Sequence, residues 1–194
     1  MNHASSLTEA NNYVDEQRIW APWRIGYIAG SEKSSEPPVP TAWLDGADQE
    51  CFLCRSAGDY EAADKANREN LVIQVGQHCI AQLNRFPYTN GHLLISPRRH
   101  VGQFHELTDE ENLEAMQMIS RFTQLLSELI SAEGFNVGLN LGSIAGAGVP
   151  GHLHWHVVPR WTGDNNFMPT LAGTRTIPQS LEAVWEALVE AASS

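Results

Sequence analysis

The sequence predicts an α+β fold: a five-stranded antiparallel sheet with a long helix and a C-terminal helix packed on it. Three observations carry that expectation. Five short segments rich in Val, Ile, Leu and aromatic residues are separated by turn-forming residues. One long amphipathic segment falls between the third and fourth of them, and a second helical segment ends the chain. Strands interrupted once by a helix fit a sheet covered on one face.

Residues 1–17 are polar and read as a loose tail, and residues 18–50 as an N-terminal extension and linker. Within the extension, RIWAPWRIGYI (18–28) is too apolar for a free tail and is expected to dock on the domain or on a partner subunit. The prolines of SEKSSEPPVPT (31–41) disfavour regular structure. The main domain is expected to span 51–194. Its first strands are LVIQV (71–75), HCIAQLN (78–84) and HLLISP (92–97), with a turn at 87–91 before the third. Thr108 is a good helix N-cap, Glu111 completes a capping box, and Asp109 and Glu110 suit the first turn. Leu113, Met116, Ile119 and Ile130 mark the apolar face, and Gly134 is the expected stop. FNVGLNL (135–141) and HLHWHVVP (152–159) are the last two strands, and a helix follows over roughly 180–192.

The chain is 194 residues long with a formal net charge of −11, which argues against nucleic acid and anionic membrane as partners. It has no apolar run of the about 18 residues that spanning a bilayer requires. The N-terminus lacks the basic start and apolar stretch of a secretory signal, so the expected compartment is the cytoplasm. Three cysteines do not suggest a disulfide framework. Asp and Glu are absent from 70–105 and 134–163, yet those stretches hold Arg85, Arg98, Arg99, Arg160 and seven of the eight histidines. If the two converge, they form a mildly cationic pocket suited to a small anion.

Residues 146–151 spell GxGxxG, but they lead into an alternating His/apolar segment that makes a poor helix, which excludes a dinucleotide-binding turn. The glycines still let bare amides approach a ligand. His152, His154 and His156 then occupy alternate positions, which in a strand share one face. They can be metal ligands, a nucleophile with flanking partners, or a plain polar face. Same-face neighbours lie roughly 6.5–7 Å apart along a strand, so one ion held by all three requires a sharp bend.

His152-Leu-His154-Trp-His156-Val-Val158 resembles the signature of the histidine-triad (HIT) superfamily, His-x-His-x-His-x-x with apolar x. LNRFPYTNGHLLISPRRH (83–100) and FNVGLNLG (135–142) are similar to its strands, while VVPRWTGDNNF (157–167) and APWRIGYI (21–28) resemble its diadenosine tetraphosphate phosphorylase-like branch. The resemblance implies a HIT-like fold and a nucleotide substrate that His154 attacks at the α-phosphorus, giving a nucleotidyl-histidine. His152 and His156 complete the catalytic triad, with His156 at the leaving oxygen. Asn140 and the amides of Gly146, Ala147 and Gly148 would hold non-bridging oxygens, and Asn84 the ribose. Arg160 or Arg98 would receive an incoming phosphate; with water instead, the enzyme is a hydrolase. Gln is typical of the third triad position in the uridylyltransferase branch, so His156 argues against that branch.

The resemblance also implies a structural zinc on Cys51, Cys54, His100 and His152, no organic cofactor, and a homodimer pairing through the long helix and a strand. Cys51-x-x-Cys54 alone is ambiguous between a zinc half-site, a redox pair and two ordinary thiols. Cys79 reads as a core residue, His92 as structural or supporting the triad, and His78 and His105 as without a role. Trp20 and Trp23 are expected to pack between subunits rather than on an adenine. The alternative functions are hydrolysis of nucleoside phosphoramidates or adenylates, and nucleotide binding without turnover.

Overall fold

The computed structural model describes residues 38–164 and 177–193. The polar tail, the 18–28 segment with Trp20 and Trp23, and most of the Ser/Pro-rich linker lie outside them. Two short helices come first, α1 (Phe52–Ala57) and α2 (Ala63–Asn70). Strands β1 (Val72–Val75), β2 (Cys79–Leu83) and β3 (Leu93–Pro97) follow, then the long helix α3 (Asp109–Ile130). β4 (Gly134–Leu139), β5 (Trp155–Arg160) and α4 (Leu181–Ser193) complete the order. The five strands form one sheet in the order β1-β2-β3-β5-β4, every pair antiparallel.

Alternation along the strands gives the sheet two unlike faces. One carries Cys79, Ala81, Leu83, Leu93, Ile95, Trp155 and Val157, packed with Phe122 and Leu126 of α3 and Trp185 and Leu188 of α4. Trp185 also donates its indole N–H to the Val72 carbonyl at 2.7 Å. On the opposite face Leu94 packs with Cys51, Leu53 and Cys54, and Ile80 with Ala57 and Val72. Residues 41–59 close onto this face through paired backbone bonds between Thr41, Ala42 and Asp59.

Thr108 caps α3 by accepting from the Glu111 amide, and the Glu111 carboxylate accepts from the Thr108 amide, a complete capping box. The helix stops at Ser131 rather than Gly134: Ser131 takes the left-handed conformation at φ 52°, and Gly134 already begins β4. Its buried face is Ala115, Met118, Ile119, Phe122 and Leu126, at the i, i+3, i+4, i+7 spacing. Leu113 and Met116, expected inside, are 61% and 48% exposed, because the buried stripe runs two positions later around the helix. β5 begins at Trp155, three residues later than expected, so His152 and His154 precede it. The Leu153 amide nevertheless donates to the Val101 carbonyl at 2.7 Å, extending the pairing with the segment after β3.

Candidate active site

His154 sits at the entrance to β5, almost fully buried, and its Nδ1 lies 2.9 Å from the His152 carbonyl. A carbonyl only accepts, so Nδ1 carries the proton and a neutral ring keeps an unshared pair on Nε2. That is the atom a nucleophilic imidazole needs free.

A second chain of donors fixes the neighbouring ring. The Tyr88 amide can only donate, and it reaches His92 Nδ1 at 3.1 Å. His92 is therefore protonated on Nε2, which meets His156 Nδ1 at 2.9 Å. His156 accepts there, and its own proton is left on Nε2. Burial pushes His92 down to about 3; for His156, burial first and the His154 charge second push it to about 4. Both rings are neutral near pH 7. The rings of His154 and His156 meet edge to face, with centroids 5.1 Å apart.

His152 takes part in a second cluster, with the two cysteines that pack beside Leu94. Its Nε2 lies 2.9 Å from the Pro97 carbonyl and so carries the proton, leaving Nδ1 bare beside Cys51 Sγ and Cys54 Sγ, each at 3.4 Å. His100 Nδ1 is 3.1 Å from Cys54 Sγ. One donor atom from each of Cys51, Cys54, His100 and His152 lies within 4.8 Å of the others, a set that can hold a metal ion. Burial pushes His152 down to about 4, the neutral form a ligand requires. Burial also pushes the Cys54 thiol up to about 12, an order that a bound divalent cation reverses. Two sulfurs and two imidazole nitrogens suit a tetrahedral ion such as zinc. Gly151 packs closely beside it: a Cβ there would come within 3.2 Å of His100 Nε2.

The loop after β4 holds Gly146 at φ 89°, a conformation that favours glycine, and Asn140 Nδ2 reaches its carbonyl at 3.5 Å. Asn84 accepts from the Phe86 amide in a local turn, and its Nδ2 contacts His92 Nδ1 at 3.3 Å. Arg160 is the cation expected to receive an incoming phosphate. All three of its guanidinium nitrogens are engaged, two by Asp164 and one by Asn136, at the far end of β5 from His154. Arg98, the other cation considered, instead braces the Gly76 and Ala57 carbonyls at 3.4 Å. Cys79 is core, as expected. His105 lies exposed in a 3-10 turn, and the His78 amide donates to Glu114.

The two carboxylate-free stretches do converge, with Tyr88 and His92 from one meeting His156 from the other. Sequence reasoning missed Tyr88, whose ring lies over His92 and His156. The only signal was an aromatic residue inside an otherwise polar turn, PYTN.

A HIT domain model matches residues 65–163. The chain is 38% identical over 165 residues to an AP-4-A phosphorylase from Mycobacterium tuberculosis, covering 85% of this chain and 78% of that one. It is 33% identical over 84 residues to an asymmetrical bis(5'-nucleosyl)-tetraphosphatase from Schizosaccharomyces pombe, covering 43% of this chain and 46% of that one. Among solved structures, a Zn-bound histidine triad family protein from Mycobacterium smegmatis aligns with TM-score 0.56 and 26% identity, over 73% of this chain and 91% of that one.

Proposed function

The chain belongs to the HIT domain family, and on that premise we propose that it is a nucleotidyl-transfer enzyme that phosphorolyses diadenosine tetraphosphate. The His154 Nε2 lone pair attacks an α-phosphorus. An N–P bond forms as the bond from that phosphorus to the bridging oxygen breaks, and ATP leaves. His156 Nε2–H donates to the departing oxygen as its charge grows. Inorganic phosphate then attacks the same phosphorus, the N–P bond breaks, and ADP is released with its electron pair returned to Nε2. Asn140 and the amides of Gly146, Ala147 and Gly148 hold the non-bridging oxygens, the Gly146 and Ala147 amides sharing their protons with the Ser143 and Gly142 carbonyls to which they donate in the loop, and Asn84 orients the ribose edge. The observation that carries this reading is the His154 Nδ1–H bond to the His152 carbonyl.

Cys51, Cys54, His100 and His152 hold a structural zinc in this reading, and the bound ion supplies only rigidity. Reduced thiols in such a site suit a cytoplasmic setting. The chain acts as a homodimer paired through α3 and the edge strand β4, in support of which Leu113, Met116 and Val137 are exposed there. Among the described residues no helix is long and apolar enough to cross a membrane.

The engagement of Arg160 favours a second reading in which water replaces phosphate as acceptor. Product analysis separates them: diadenosine tetraphosphate with inorganic phosphate gives ADP plus ATP for the phosphorylase. AMP plus ATP, independent of phosphate, indicates the hydrolase. No nucleotide product under either condition would overturn both.

A further inference from the structure

We propose that Tyr88 is a positioning residue for this reaction: its ring covers one face of His156, keeps water from it, and holds that imidazole against its hydrogen bond from His92. The inference rests on the reaction assigned above, because it is His156 that meets the leaving oxygen.

Tyr88 is 49% exposed, in the turn between β2 and β3. A large aromatic so placed is not held by core packing. Among the described residues the rings against it are His92, tilted at 4.7 Å between centroids, and His156, stacked at 5.8 Å and 24°. Its backbone amide starts the donor chain to His156, so one residue contributes both the first donor and the outer cover. The other titratable rings facing His156 are His154, edge-on from the position just before β5, and His92, from the position just before β3. Its cross-strand neighbours, Leu94 and Gly138, carry no charge. Dehydration is therefore the leading influence that keeps His156 unprotonated, with the His154 charge second.

Removing the ring admits water to one face of the imidazole. His156 then takes up a proton at a higher pH, loses its acceptor at Nδ1, and breaks the bond from His92. The backbone amide of residue 88 survives any substitution but proline, so side-chain variants test the ring alone. Turnover of diadenosine tetraphosphate is measured from pH 5 to 9 for the wild type, Tyr88→Ala and Tyr88→Phe, with the His156 ring titrated by NMR in the substrate-free proteins. Tyr88→Ala should move the acidic limb of kcat and the NMR midpoint upward by about one pH unit or more. Tyr88→Phe, which keeps the ring, should restore both. Coincident limbs and midpoints for Tyr88→Ala and the wild type would overturn the proposal, as would a Tyr88→Phe shift as large as that of Tyr88→Ala, which would assign the effect to the hydroxyl. The NMR midpoint needs no turnover, so an inactive wild type would count against the assigned reaction and leave the Tyr88 outcome readable.

Discussion

A backbone amide has only a proton to offer, so the Tyr88 N–H decides which nitrogen of His92, and then of His156, is protonated. The chain works only while both rings are neutral, and that neutrality links the site to folding. His92 and His156 titrate near 6.5 when unfolded but at about 3 and about 4 when folded, chiefly through burial. Between those values the unfolded chain binds more protons, so stability falls as pH drops from 6.5 towards 4. Thermal melts should show a lower Tm at pH 5 than at pH 7, with a shallower decline in His92→Asn. A flat wild-type Tm across that range would contradict the account. The alternating histidines and the CxxC were legible in the sequence because their chemistry is local and their residue types are few. For Arg160 the cation is visible in the sequence while its partner is not; the turn to Asp164 shows how the guanidinium is paired. Tyr88 was illegible for the opposite reason, since a ring stacked across a turn leaves no pattern.

The elements that carry the site are joined by one residue. His152 offers a bare nitrogen to the Cys51/Cys54 cluster on α1 while its carbonyl orients His154 at the mouth of β5. A metal held there would tie α1 to the segment leading into β5, whose first residues lack a full ladder of their own. Metal removal should therefore loosen the site as well as the fold. We expect zinc bound in about one-to-one amount, and chelation to lower Tm by several degrees, at about 2–4 °C per kcal/mol for a chain of this length. Zinc-supplemented protein that carries no metal and melts unchanged with chelator would contradict this. The strands and α3 were readable because their apolar periodicity is strong. The helices α1 and α2 were not, being only 6 and 8 residues long. The end of α3 was misread because Ser131 adopted the left-handed turn that glycine usually takes. The late start of β5 follows from the two histidines before it, whose groups bond to carbonyls at 97 and 152.

Across the whole molecule, strand order does what sequence distance hides. Placing β5 between β3 and β4 brings His92 against His156 across 64 positions of chain, and joins two acid-free stretches inside a protein of net charge −11. In the proposed reaction an anionic polyphosphate would thus meet imidazoles and main-chain amides, in stretches that hold none of the chain's carboxylates. The strand order also leaves β4 at an edge, with Val137 exposed, and Leu113 and Met116 of α3 are exposed as well. The sheet and its helical cover could be foreseen from the pattern of strands; the strand order could not, since it depends on which segments return to pair. The most direct test of the account is to quench the enzyme with diadenosine tetraphosphate under alkaline conditions, which spare a phosphoramidate, and to map the adenylylated peptide by mass spectrometry. The account predicts an adenylyl group on His154, lost on acid treatment and absent from His154→Ala. Turnover with no adduct on that residue, or undiminished turnover in His154→Ala, would contradict it.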